Sequence, residues 1–266
     1  MSCAPRPGYE VRDNWGVQKW ITELKVLWQA VISMIHEGSL RNPMFSTSLF
    51  DRRSFLRSLA LGRRAIPIRV DVTLPEQITT MVDATVRSLG SVDILVNSAG
   101  ISQRHHDSAE NIPLEDWTQI IDTNLRGTFL CCQAAARVML RKGKGVIINV
   151  SSIMGVVGGG RGLNVFCASK GGVNALTLEL ALEWASKGIR VNALAPCQFR
   201  TPALLAVMAE KSSDPEKLMQ MWISNIPLGR IGEPQEIVGP TLFLASDASS
   251  MVTGVILPVD GGYLAR

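Results

Sequence analysis

Val146-Ile-Ile-Asn-Val-Ser-Ser-Ile-Met-Gly-Val-Val-Gly-Gly-Gly-Arg-Gly-Leu-Asn-Val-Phe-Cys-Ala-Ser-Lys170 decides the reading of this 266-residue chain. A short β-branched run ends in two serines, a glycine-rich loop follows, and a helix start comes next. With a helix over 166–187, Phe166 and Lys170 stand at i and i+4 on one face. The loop can bring Ser152 opposite them. A hydroxyl and an ammonium then meet beside a benzyl ring, which can neither give nor take a proton.

Outward from this stretch, starts and stops alternate with a period that fits strands and helices in turn. Ile66–Val72 is expected as a strand, and Thr73-Leu-Pro-Glu76 as a capping box opening a helix that runs to about Leu89 and stops at Gly90. Val92–Val96 reads as a strand entering Asn97-Ser-Ala-Gly100. Leu114–Lys142 reads as a long helix interrupted near Thr123 and Asn124 and closed by Gly143. Ile189–Leu194 reads as another strand. Apolar strands alternating with helices imply an α/β fold with a parallel, doubly wound sheet covered on both faces. In such sheets ligands bind beyond the carboxyl ends of the strands, where Asp71, Asn97, Ser151, Ser152 and the segment from Pro196 to Thr201 all fall.

Composition narrows the function classes. Hydrophobic residues are 46% and charged residues 19%, the balance of a globular protein. The net charge of +4 comes from residues 1–64, with ten basic against five acidic side chains, and lacks the aromatic and basic interleaving of a nucleic-acid surface. Five cysteines without a CxxC pair read as buried thiols of a reducing compartment. No zinc spacing is present, so no metal is expected. The longest apolar run, Leu24–Ile35, is too short to span a bilayer. It could form either a helix with an apolar stripe or a buried strand running into a helix. The expectation is a cytoplasmic protein with no membrane and no nucleic-acid partner.

Asp71-Val72, Asn97-Ser-Ala-Gly100, Asn124, Ser152, Phe166-Cys-Ala-Ser-Lys170, Asn192, Pro196, Thr201 and Asp260-Gly-Gly262, in this order and spacing, make residues 65–266 resemble a classical short-chain dehydrogenase/reductase. The resemblance implies one Rossmann-like domain over 1–266, with 65–266 as the matched core and 1–64 as an atypical N-terminal segment. It implies a nicotinamide cofactor, NAD or NADP, and hydride transfer to or from a small carbonyl or alcohol substrate: a sugar acid, a polyol or a 3-oxoacyl-like compound. It also implies a homo-oligomer, tetramer or dimer.

The resemblance assigns roles as well. Asn124, Ser152, position 166 and Lys170 form the catalytic set. Asp71 and Val72 contact the adenine, Asn97, Ala99 and Gly100 the adenosine ribose, and Pro196 and Thr201 the nicotinamide amide, while Lys170 binds the ribose hydroxyls and Asn124 anchors a water that links Lys170 to solvent. Phe166 stands where the family has tyrosine, the proton donor. Ser152 and Phe166 are fourteen positions apart where thirteen is usual, the extra residue falling near Gly158–Gly162. No glycine-rich phosphate-binding turn stands in 1–64. That segment keeps the length of the family's first elements while losing their motif, as a frame or gene-model error before Ala65 would leave it. The alternative function is therefore a catalytically impaired relative of the same fold. Thr201–Ile226 has the composition of a substrate lid or of a surface helix pair.

Overall fold

The computed structural model describes residues 31–32, 65–103, 108–160, 162–202, 204–205, 208 and 214–266. Among the described residues five parallel strands lie side by side in chain order: β1 (Val31–Ile32), β2 (Ile94–Asn97), β3 (Gly145–Val150), β4 (Ile189–Pro196) and β5 (Ile256–Val259). Each crossover between neighbours carries helix, as parallel pairing requires. Between β2 and β3 lie α2 (Leu114–Ile121) and α3 (Gly127–Lys142), joined by a π turn over Asp122–Arg126. Helix α4 (Asn164–Trp184) joins β3 to β4, and α5 (Pro215–Ile223) and α6 (Val238–Ala245) join β4 to β5. Helix α1 (Pro75–Leu89) precedes β2.

The register explains the layers. Leu95 pairs with Ile147 and Ile147 with Val191, and all three point to one face, where Ile78, Cys131, Cys132, Met139, Leu180 and Trp184 pack on them. Their neighbours Ile94, Val146, Ile148 and Leu194 point to the other face, against Leu244 and Ala245 of α6. The alternation of β pleats thus builds two apolar layers from continuous apolar strands, as expected for a parallel sheet. Val31 and Ile32 pair with Ile94 and Leu95, so the first apolar run contributes a strand next to β2. The rest of the atypical segment and its missing phosphate turn lie outside the described residues.

Several boundaries move. Residues 66–71 have no ladder partner among the described residues and Val72 enters a turn, so Ile66–Val72 is not a strand here. It is held by its side chains, with Val70 and Val72 buried against α1 and α3. The capping box at Thr73 is absent as well. The Thr73 hydroxyl donates to Asp71 Oδ1 instead, and Leu74 occupies the cap position without a side-chain bond. The expected interruption at Thr123–Asn124 is the π turn, a geometry that widens the helix and is frequent at functional sites. The glycine loop takes up its extra residue through turning: Gly160 and Gly162 sit at φ of 60° and 66°, left-handed values that side chains disfavour. Strand β5, helix α6 and the strand pair they complete were not anticipated from sequence.

Candidate active site

The turn after β2, the end of β3, the π turn and the start of α4 converge beyond the carboxyl ends of the inner strands β2 and β3. Asn124 ties three of them together. Its Oδ1 accepts from the Ile101 N–H at 2.8 Å, and its Nδ2 donates to the Ile101 carbonyl at 2.9 Å and to Ser169 Oγ at 3.0 Å. Ser169 Oγ in turn donates to the Phe166 carbonyl at 2.8 Å. Asn124 and Ser169 are fully buried, so each of these bonds forms without competition from water.

Lys170 is 6% exposed and donates to the Val150 carbonyl at 2.7 Å, the last residue of β3. Its ammonium has three donors, and among the described residues this carbonyl is the only acceptor it meets. Burial pushes its pKa down to about 8. The Phe166 ring lies one helical turn away, with Nζ 5.8 Å from the centroid. Gly100 completes the enclosure: a Cβ placed there would sit 3.3 Å from Asn124 Oδ1 and 3.5 Å from Lys170 Nζ. Bare backbone at Gly100 therefore leaves the ammonium approachable from the exposed side of the turn. A buried cation with one acceptor among the described residues thus stands beside a backbone edge carrying no side chain.

Ser152 lies at the end of β3 and caps the short 3-10 turn Ile153–Gly155, its Oγ accepting from Met154 N at 3.1 Å. The turn is pressed onto α4: a Cβ on Gly155 would stand 2.7 Å from the Lys170 carbonyl, and Asn174 Nδ2 donates to the Gly155 carbonyl at 2.9 Å. Ser151 Oγ adds a bond to the Lys170 carbonyl. Strand end and helix start are thereby held in one arrangement.

The remaining expected residues divide. Asp71 Oδ1 accepts from the Thr73 N–H and hydroxyl, fixing its carboxylate at the rim of the loop. Val72 is 1% exposed and faces the core, so only its backbone can meet a ligand. Asn97 also turns inward: its Nδ2 donates to Asn149 Oδ1 at 2.8 Å and to Cys132 Sγ, and its amide is not presented at the rim. Ala99 follows it, half-buried in the turn. Pro196 ends β4 opposite Val259. Thr201 Oγ1 accepts from the Leu204 N–H, so this hydroxyl works locally as a cap. Cys197 is a packing thiol, pushed up to about 11 by burial and by nearby Asp260.

Three contributors escaped the sequence reading. Asn149, directly opposite Asn97 in the β2–β3 register, donates to Thr177 Oγ1 at 3.0 Å and locks α4 to the sheet. A lone polar residue in the apolar run Val146–Val150 was the signal available for it. Ser169, inside the quoted stretch, carries the link from Asn124 to position 166. Gln103, 2% exposed, accepts from the Val165 N–H and donates to Asn164 Oδ1, anchoring the first turn of α4. Among the described residues no group of His, Cys, Asp and Glu is placed to hold a metal, and no helix is long and apolar enough to cross a membrane.

Residues 50–264 match the family model described as enoyl-(acyl carrier protein) reductase. A 3alpha-hydroxysteroid dehydrogenase of Mediterraneibacter gnavus is 45% identical over 185 residues, 70% of each chain. The 3-oxoacyl-[acyl-carrier-protein] reductase FabG of Thermotoga maritima is 41% identical over 214 residues, covering 79% of this chain and 83% of that one. The solved structure of ElxO with NADP bound superposes with a TM-score of 0.74 at 28% identity, covering 94% of both chains. With a parallel sheet flanked by helices and a family match over most of its length, the chain belongs to the short-chain dehydrogenase/reductase family of oxidoreductases.

Proposed function

We propose that this chain binds NAD or NADP at the strand ends and works on a small carbonyl or alcohol substrate, in the class of sugar acids, polyols or 3-oxoacyl compounds. One observation carries the reading: the buried Lys170 ammonium, with a single acceptor among the described residues, beside Asn124 and the bare edge of Gly100. The nicotinamide, when bound, supplies or accepts the hydride. Lys170 holds the ribose hydroxyls with its two remaining donors. Asn124, locked at both ends of its amide, sets the height of the Ile101 backbone and of α4 around that ribose. Ser152, whose Oγ already accepts from Met154 N, donates its own proton to the substrate oxygen. Asp71 and the Val72 backbone receive the adenine, Ala99 and Gly100 the adenosine ribose, and Pro196 and Thr201 the nicotinamide amide. Asn97 acts from beneath, keeping the β2 end in place.

The matching enoyl reductase family, the steroid dehydrogenase and the acyl-carrier reductase support the reaction class and leave the substrate open across three chemistries. NADP bound to ElxO supports the cofactor class. A second reading, a catalytically impaired relative, is favoured by Phe166, because the benzyl ring has no proton to give. A homo-oligomer is supported by exposed apolar side chains on α4, Leu178 at 47% and Leu182 at 78%. A cytoplasmic setting is supported by free thiols at Cys131, Cys132, Cys167 and Cys197.

Titration with NADH and with NADPH, followed by nucleotide fluorescence, tests the reading. Saturable binding of one of them is expected, weakened about 10- to 100-fold in Lys170→Met, the loss expected for hydrogen bonds from a charged group. Absence of binding for both nucleotides would sink it.

A further inference from the structure

Ser152 belongs to no long element: β3 ends at Val150, the 3-10 turn Ile153–Gly155 follows, and the chain then runs exposed through Val156, Val157 and Gly158. Two bonds give the turn its shape. Ser152 Oγ accepts from the Met154 N–H at 3.1 Å, and the Ser152 carbonyl accepts from the Gly155 N–H at 3.0 Å. Both are internal, so neither sets where the turn stands relative to Lys170. Two side-chain bonds to α4 do that. Before Ser152, Ser151 Oγ donates to the Lys170 carbonyl at 3.2 Å. After it, Asn174 Nδ2 donates to the Gly155 carbonyl at 2.9 Å. Lys170 and Asn174 are i and i+4 on one helical face. The segment 151–155 is therefore pinned on either side of Ser152 to a single turn of α4, the turn whose lysine reaches back to the Val150 carbonyl.

We propose that Asn174 is a positioning residue: it fixes the Ser152 hydroxyl relative to the Lys170 ammonium, and with it the substrate oxygen relative to the nicotinamide ribose. This rests on the roles proposed above for Ser152 and Lys170. The first support is an idle acceptor. Asn174 is 8% exposed, and among the described residues its Oδ1 is buried without a hydrogen-bond partner. A buried amide oxygen left in that state costs stability, and a leucine of similar volume would fill the place without the cost. What the amide contributes is its donor. The second support is that only one orientation of the amide works. Turned over, Oδ1 would face the Gly155 carbonyl, two acceptors with no proton between them. The third is that the clasp has no substitute. Gly155 lies so close to α4 that a Cβ there would stand 2.7 Å from the Lys170 carbonyl and 2.8 Å from Asn174 Nδ2. Among the described residues no other side chain hydrogen-bonds the chain over 155–160.

Amide hydrogen exchange of the full-length chain, read by NMR without ligand, tests the clasp. The Met154 N–H bonds to Ser152 Oγ and the Gly155 N–H to its carbonyl, so their protection reports the place of Ser152 directly. Asn174→Leu keeps the volume and removes the donor. Both amides should then exchange about tenfold faster, the worth of one hydrogen bond, while those of Ile147, Ile148 and Leu180 keep their protection. Asn174→Ala, which opens a cavity as well, should release them at least as far. Release in Asn174→Ala alone would assign packing in place of the hydrogen bond and overturn the proposal. Unchanged exchange in both variants, equal acceleration throughout the sheet, or no protection of the two amides in the unaltered chain would overturn it too.

The consequence for the reaction is read with ethyl acetoacetate, a 3-oxo ester probe, in the unaltered chain and in Phe166→Tyr. Asn174→Leu should lower kcat about 10- to 100-fold in either background, the usual effect of a displaced reacting group. Affinity for NADH or NADPH should stay as it was, because Lys170 keeps its own tie to β3. Nucleotide affinity falling in step with kcat would place Asn174 in support of the cofactor and overturn the proposal. Where the probe is not turned over, the exchange measurement decides alone. A chain that binds neither nucleotide overturns the function beneath the proposal, and the exchange still decides whether Asn174 fixes Ser152.

Discussion

Two buried polar centres sit near the strand ends, and they are built on opposite terms. In the first, Asn97, Asn149, Thr177 and Cys132 close on one another: Asn97 donates to Asn149, Asn149 to Thr177, and Thr177 to the Val173 carbonyl. Four elements are joined, and the side chains spend their hydrogen bonds within the protein. In the second, Asn124 and Ser169 are equally saturated, but they surround Lys170, a cation that among the described residues has one acceptor and no carboxylate partner. A closed network gives rigidity. An open one, kept buried at a cost, points to a ligand that completes it.

The comparison can be broken or sharpened from its strongest point downward. Phe166→Tyr should raise turnover about 10² to 10⁴-fold in a coupled nicotinamide absorbance assay, the usual worth of a placed general acid. No gain would mean that the open centre is not a catalytic seam. Asn149→Ala should cost about 2 to 3 kcal/mol in urea unfolding, because Asn97 and Thr177 lose a buried partner together. A loss well under 1 kcal/mol would show that the closed centre is not a structural lock.

Lys170→Met should do the reverse and stabilise the chain at pH 7. The folded-state pKa, about 8, lies below the ordinary value of 10.5, so the folded chain binds fewer protons than the unfolded chain between those limits. Stability is therefore held down below about pH 8 and recovers as the pH rises towards 10.5. The variant's advantage should be on the order of 1 to 3 kcal/mol at neutral pH and fade through that window, as read by thermal melts across pH. A destabilised variant at pH 7 would mean that Lys170 has a compensating partner.

Much of this was readable along the chain. The i and i+4 spacing of Phe166 and Lys170 survives because α4 runs unbroken for 21 residues. Gly90 and Gly143 stop their helices at left-handed φ of 92° and 70°, as a glycine at such a place usually does. Asn124 was legible as an interruption, although the π turn behind it was not, since helix width leaves no mark on hydrophobic spacing. Ile66–Val72 misled for a different reason: β-branched composition reports a preference for extended backbone, while ladder pairing depends on a neighbour elsewhere in the chain.

By itself the sequence determined the alternation of strands and helices, the identity of the side chains at each strand end and the absence of a phenol at position 166. These are local properties, carried by periodicity, caps and residue type. Only the tertiary structure decided that Asn97 turns inward to Asn149, that Ser169 bridges Asn124 to α4, and that Lys170 is buried with one acceptor among the described residues. Each of those depends on the β2–β3 register and on the approach of Gly100 and Gly155 to α4, contacts between residues tens of positions apart.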